Sequence, residues 1–313
     1  MLLSDNNTII MTLYNQADSN IRKTWFYVTG FLVLVIFFGW LASYYLNSYA
    51  ILWIAVIYSI SASFISYWYS DKIVMAITKA QPIAREDNAE LYRLVENLCI
   101  TAGLPLPKIY ILNEAQPNAF ATGRDPEHAA IAVTIGLMNR LERTELEGVI
   151  AHELSHIGNR DALLQTAVVV LTGVVVIVAD LFVRFSIFGG GFGGRRNSRD
   201  GGNAGAIFLL IALLFSILAP LAATLIKLAI SRKREFLADA DGALLTRYPD
   251  GLARALEKIS SDQSPLRVAN NSTAHLFIAS PFKSGQRQNW VSKLFMTHPP
   301  IEERVAALRG MNM

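Results

Sequence analysis

Residues 144–161 read TELEGVIAHELSHIGNRD, and the interpretation of the whole chain turns on them. The spacing predicts a helix. Thr144 and Glu147 have the separation of a capping box, and Leu146, Val149, Ile150 and Leu154 fall on one apolar stripe. Residues four apart share a helix face, so the imidazoles of His152 and His156 point the same way. Two imidazoles so placed can grip one divalent ion at about 2.0–2.1 Å. Glu153 lies one step round the helix, beside such an ion, where its carboxylate can take a proton from water.

A catalytic zinc site usually has three protein ligands and one open position. His128, His275 and His298 are possible third ligands, but Arg234-Glu-Phe-Leu-Ala-Asp239 offers a better source. Glu235 and Asp239 are also four apart on a predicted helix. One of them can bind the metal while the other orients a ligand histidine through its free ring N–H. His298 precedes Pro299-Pro300, which keep it out of a helix and in a turn or extended segment. It is expected to be a catalytic helper rather than a ligand, donating to the oxyanion of a tetrahedral intermediate.

Working outward, hydrophobic residues make up 52% of the 313-residue chain and charged residues 17%. Soluble domains carry about 25% charge, so this composition and the positive mean hydropathy favour a membrane protein. Four apolar segments are long enough to span about 30 Å of hydrocarbon: Trp25–Tyr45, Ala50–Trp68, Leu163–Val183 and Ala206–Ile230. The expected organisation follows from them. Residues 1–70 carry two transmembrane helices, and 71–162 form the first part of a protease domain. Residues 163–230 form a transmembrane hairpin around a glycine-rich loop at 185–205, and 231–313 complete the protease domain. The first 20 residues are polar and no small-residue cleavage site follows, so the first apolar run reads as a retained anchor rather than a cleaved signal.

Between the span pairs, EDNAELYRLVENLCITAG (86–103) reads as a helix capped near Asp87 and stopped at Gly103. KIYILN (108–113) and AIAVTI (130–135) read as strands. The fold class expected is a mainly α integral membrane protein with a small β-sheet: a zincin-like (gluzincin) domain joined to about four transmembrane helices. The single cysteine, Cys99, excludes an intrachain disulfide. The formal charge of +3 is too small to imply a nucleic-acid partner. The glycine-rich loop lacks the lysine of a phosphate-binding loop.

Four motifs together resemble the HtpX family of membrane zinc metalloproteases, relatives of the CAAX prenyl-protein proteases. They are Pro117-Asn-Ala-Phe-Ala-Thr-Gly123, the His152–His156 helix continuing to Asn159-Arg-Asp161, Arg234-Glu-Phe-Leu-Ala-Asp239, and Thr297-His-Pro-Pro-Ile-Glu-Glu-Arg304. The resemblance covers nearly the whole chain. It implies His152, His156 and Glu235 as ligands of one Zn²⁺, Glu153 as catalytic base, and proteolysis of membrane or unfolded polypeptides in quality control. By their own physical reading, Asn118, Ala119, Phe120 and Ala121 can form a strand edge that binds an extended substrate through its main chain, or a plain structural turn.

Two crossings between His156 and Glu235 return the chain to its starting side, so the ligands meet on one membrane face. Counting Lys and Arg places that face in the cytoplasm, and the resemblance implies a prokaryotic plasma membrane. A narrow prenyl-peptide protease should enclose a larger chamber with more spans. A transporter should carry ionisable groups within its spans, and here Asp180, Arg184 and Lys227 lie near segment ends. A zinc-stabilised scaffold would need the ligands but not Glu153.

Overall fold

The computed structural model describes residues 4–45, 47–171, 232–262, 264, 273, 276–278 and 299–311. Helix α1 (Ser4–Tyr45) and helix α2 (Tyr49–Trp68) form an antiparallel pair. Within it, Gln16–Leu41 and Tyr49–Trp68 are long and apolar enough to cross a membrane. Outward-facing Trp40, Trp53, Ile54, Ile57 and Phe64 are all about half exposed or more, which suits lipid as the neighbouring solvent. The expected anchor is therefore a helix that begins well before Trp25 and carries polar residues inward. Of the other two expected spans, the first is described to Leu171, as helix α7 (Asp161–Leu171). The second, 206–230, lies outside the described residues, as does the loop at 185–205.

Helix α3 (Ser70–Ile77) leads from α2 into a four-stranded sheet. Its strands are β1 (Gln81–Pro82), β2 (Lys108–Leu112), β3 (Ala119–Gly123) and β4 (Ala129–Thr134), in the order β1-β2-β4-β3. β2 runs parallel to β4, and β3 is antiparallel to β4 with Ala121 opposite Ile131. Both expected strands are present, and β3 is an edge strand. Pro82 sits on the opposite edge strand, where a missing N–H costs no ladder bond. Helix α4 (Ala89–Ala102) is capped by Asn88, whose side chain accepts from the Leu91 N–H, and ends at Gly103 in the left-handed region (φ +66°). The cap is thus one residue beyond Asp87, while the glycine stop falls where the sequence placed it.

After the short helix α5 (Ile135–Arg140), helix α6 (Arg143–Gly158) carries the paired histidines. It starts one residue before Thr144: Glu145, not Glu147, reaches back to the backbone N–H of Glu142 at 2.8 Å. The expected Thr144–Glu147 box is displaced because buried Glu145 is also held by Lys258 at 2.7 Å. Lys258 lies on helix α9 (Pro249–Ser261), which follows helix α8 (Arg232–Thr246), and helix α10 (Ile301–Arg309) closes the described chain. α6 is the hub, packed against α4, α8, α9 and β3.

Two glycines allow the hub to be this close. A Cβ on Gly148 would lie 2.8 Å from the Leu252 backbone nitrogen on α9, and one on Gly242 would lie 3.0 Å from that of His152. Gly148→Ala is expected to destabilise the protein by about 1–3 kcal/mol through overpacking. Gly242→Ala should in addition lower metal content, because it wedges α8 away from α6. Thermal unfolding with metal analysis checks both, and an unchanged Tm for Gly148→Ala would contradict the packing described.

Candidate active site

His152 and His156 are buried on α6, their Nε2 atoms 3.2 Å apart. Glu235, in the first turn of α8, faces them with Oε1 at 3.6 Å from His156 Nε2 and Oε2 at 3.9 Å from His152 Nε2. One donor atom from each residue lies within 4.8 Å of the other two. Both Nδ1 atoms face carboxylates on the far side: His152 Nδ1 is 3.0 Å from Asp239, and His156 Nδ1 is 3.1 Å from Asp161. The His156–Asp161 hydrogen bond fixes one ring and the Asp239 carboxylate stands beside the other, with both Nε2 atoms turned toward one point.

Each supporting carboxylate is itself compensated, as burial demands. Arg304 on α10 is fully buried and grips Asp239 bidentately at 2.6 and 2.8 Å. It also donates to the Ile278 carbonyl and lies 3.5 Å from Glu235. Against its burial, Asp239 is held below the ordinary carboxylate range by the charge and hydrogen bonds of Arg304. Asp161 lies 3.3 Å from Arg234 and accepts a 2.6 Å hydrogen bond from Asn20 of α1. Asn20 is wholly buried, also donates to the Asn159 carbonyl at 2.9 Å, and accepts from Arg234 at 3.2 Å. A third strut joins α6 to α8: Ser155 and Asn159 both donate to Asp241, each at 2.9 Å.

Glu153 is buried beside this cluster. Burial pushes its carboxyl up to about 7; the Glu235 charge acts in the same direction, and His156, a hydrogen bond from the Ala121 main chain and Arg304 oppose it. For His156 the balance reverses. Burial lowers its pKa, but the Asp161 hydrogen bond and the Glu235 and Asp161 charges raise it to about 9. His152 is lowered, chiefly by burial. The two imidazoles therefore respond in opposite directions, with the Glu235 carboxylate facing the point between their Nε2 atoms. A proton and a divalent ion compete for that point, and two imidazoles with one carboxylate make a suitable donor set for zinc.

The structure thus brings together His152, Glu153, His156 and Glu235, with Asp239 behind His152. His128 does not join them: it is exposed and bonded to Asp125. His275 and His298 lie outside the described residues, while Pro300 caps α10, so the helix begins after the proline pair. In the predicted substrate strand, Asn118 and Phe120 are packing residues. Asn118 exchanges bonds with Thr134, and the Phe120 ring meets Phe277 edge-on at 5.2 Å. Ala119 and Ala121 present their main chain outward: the Ala119 carbonyl accepts from Ile278 at 3.1 Å. Sequence reasoning gave no role to Asn20, Asp161, Arg234 or Arg304. Three of these stood in quoted motifs, and a buried charge between polar neighbours was the available signal.

Residues 85–312 match the model of peptidase family M48. The chain belongs to this family. Among its relatives, a protease HtpX homolog of Thermoanaerobacter pseudethanolicus is 45% identical over 96% of this chain and 99% of its own length. Another, from Syntrophobacter fumaroxidans, is 50% identical over 79% of this chain and 84% of its own. A crystal structure of S. mikatae Ste24p aligns over 95% of this chain and 67% of that one, with TM-score 0.48 and 19% identity. The M48 chain is a metalloprotease, of the kind of its HtpX relatives, with candidate membrane helices.

The His-His-Glu cluster owes its shape to groups outside it. Asn20→Leu, close in size but without the amide, should weaken metal binding by about tenfold while the protein still folds, since such supporting contacts are typically worth about 10–100-fold. Arg304→Met should cost about 3–5 kcal/mol by stranding Asp239 in a buried site. Metal titration of the first variant and denaturant unfolding of the second check these values.

Proposed function

We propose that the protein is a zinc-dependent endopeptidase that cleaves membrane or unfolded polypeptides at the cytoplasmic face of a prokaryotic plasma membrane, as quality control. The observation that carries this reading is the convergence of His152, His156 and Glu235 with Glu153 held beside them. His152, His156 and Glu235 would hold one zinc ion. When bound, zinc supplies Lewis-acid polarisation of the scissile carbonyl and makes water a better nucleophile at neutral pH.

The chain's own residues do the rest. Glu153 accepts a proton from the attacking water and delivers it to the leaving amine. Its raised pKa in the metal-free site keeps it near the balance between acid and base that such shuttling needs, and a nearby dication shifts it toward the carboxylate. An extended substrate would add along the Ala119–Ala121 edge through main-chain groups, a mode that tolerates many sequences, displacing the bond that the Ala119 carbonyl accepts from Ile278. The Ala121 main chain faces Glu153 and favours its charged form. His298 is assigned the oxyanion donor, and the apolar sequences 163–183 and 206–230 make four spans the proposed topology.

Glu153→Gln should retain metal and lose activity, whereas Glu235→Ala should lose metal. His298→Ala should keep metal and KM while kcat falls by about 10²–10³. Metal analysis of the purified variants, with a casein cleavage assay with and without chelator, gives the answer; near wild-type cleavage by Glu153→Gln would overturn its role. For topology, a cysteine replacing exposed Glu90 should resist an impermeant reagent in intact cells, and one at position 189 should react. The native Cys99 is buried and adds little background. The opposite labelling pattern would invert the orientation.

A further inference from the structure

The two apolar helices mark their own depth. Trp25 and Tyr67 pack at 5.3 Å at the end nearest the catalytic layer, while Trp40 and Tyr44 stack at 6.4 Å at the far end. Along α1 from Trp25 to Tyr44, and along α2 from Tyr49 to Trp68, each stretch measures about 28 Å at 1.5 Å per residue. That matches the hydrocarbon thickness of about 30 Å, and aromatic residues at both ends are the usual interfacial belts. Trp68 and Tyr69 therefore lie at headgroup level.

At that level a cavity of about 280 Å³ opens between the end of α2, α3 and the sheet. Trp68, Tyr69, Asp71, Lys72, Lys108 and Arg124 line it. Arg124 lies over the Trp68 ring, 4.6 Å from its centroid, and donates to the Trp68 carbonyl at 3.1 Å. It is also paired with Asp125 at 3.2 Å. Lys72 sits 5.3 Å from the centre of the Tyr69 ring. Both lysines are exposed, and neither has a carboxylate partner among the described residues. Three cations thus surround a cavity whose nearby acids are Asp71 and the already paired Asp125.

We infer that this cavity binds the phosphate of an anionic phospholipid headgroup. The cations supply the charge, and the aromatic rim places it at the right depth. The apolar path for an acyl chain is present as well. Ile57, Ile60, Phe64 and Trp68 follow one another at helical spacing on α2, are 63%, 54%, 56% and 45% exposed, and end at the cavity mouth, where Phe64 is part of the lining. A free phosphate ion would use the cations alone and leave this stripe unused. The bound headgroup would connect α3, the start of β2 and the residue after β3, and so hold the sheet at a fixed angle to the membrane.

The test uses the full-length protein in neutral detergent, with phosphatidylglycerol, phosphatidylcholine or inorganic phosphate added, read by native mass spectrometry and thermal unfolding. Wild type should retain one phosphatidylglycerol in preference to phosphatidylcholine and gain Tm from it. The double variant Lys72→Gln/Lys108→Gln should hold it about fivefold less tightly per lysine, roughly 25-fold for the pair, with unchanged Tm in phosphatidylcholine. Lys72→Arg/Lys108→Arg should restore retention, which separates lost charge from lost fold. Equal retention by wild type and the Gln variant would overturn the site. An equal Tm gain from millimolar inorganic phosphate would overturn the lipid as its source.

Discussion

Charge that is buried must be neutralised where it lies, and around His152 and His156 that requirement recruits every part of the chain. Asp239 and Asp161 are buried because they orient the two rings. An uncompensated buried charge costs several kcal/mol, more than any capping or propensity term along these helices, which run to about 1 kcal/mol each. The partners therefore come from wherever the chain can deliver them: Arg304 from α10, Arg234 from α8 and Asn20 from α1. Beginning, middle and end of the chain meet behind one pair of imidazoles, and the close approach at Gly148 and Gly242 draws the helices together around them.

What was legible in the sequence is what has a short period or a sharp stop. His152, Glu153 and His156 declare a helix face within one turn, and Glu235 and Asp239 do the same. Gly103 ends α4 because a left-handed residue is needed there, and β2 and β4 show in their branched runs. The capping box was misplaced because Glu142–Glu145 and Thr144–Glu147 have identical spacing; the distant Lys258 and Arg254 decide which acid is drawn in. The Asp239–Arg304 pair joins residues 65 apart in sequence and the Asn20–Asp161 pair residues 141 apart. Neither carries a local signal. Asn20 in particular reads as a polar residue ahead of an anchor.

The edge strand shows how alternation divides the roles within a four-residue motif. The Asn118–Ala121 stretch does lie beside the metal helix. Alternation in a strand, however, sends successive main-chain groups and side chains in opposite directions. Asn118 and Phe120 turn toward β4 and the core, so only Ala119 and Ala121 show main-chain groups to the outer edge. The Ala119 and Ala121 side chains pack into the core beside the paired-histidine helix, and the fully buried Phe120 anchors the strand from its other face.

The tie between Asn20 and Asp161 also bears on where catalysis happens. Asn20 precedes Trp25 by about 7.5 Å of helix rise, so the amide that steadies His156 sits little more than one helical turn beyond the aromatic belt. Helix α7 leaves from Asp161 itself, the residue Asn20 holds. A catalytic layer on a flexible tether would need no such contact, because a tether transmits neither position nor angle. Here one hydrogen bond of 2.6 Å joins an apolar helix to the carboxylate that supports His156, and the Arg124–Trp68 contact joins the other apolar helix to the end of the edge strand. The two halves of this layer, the paired-histidine side and the edge strand, are thereby both referenced to the same pair of helices. A shift of α1 against α2 would move the two halves relative to each other. The α1–α2 pair therefore acts as part of the active-site frame rather than as an anchor alone.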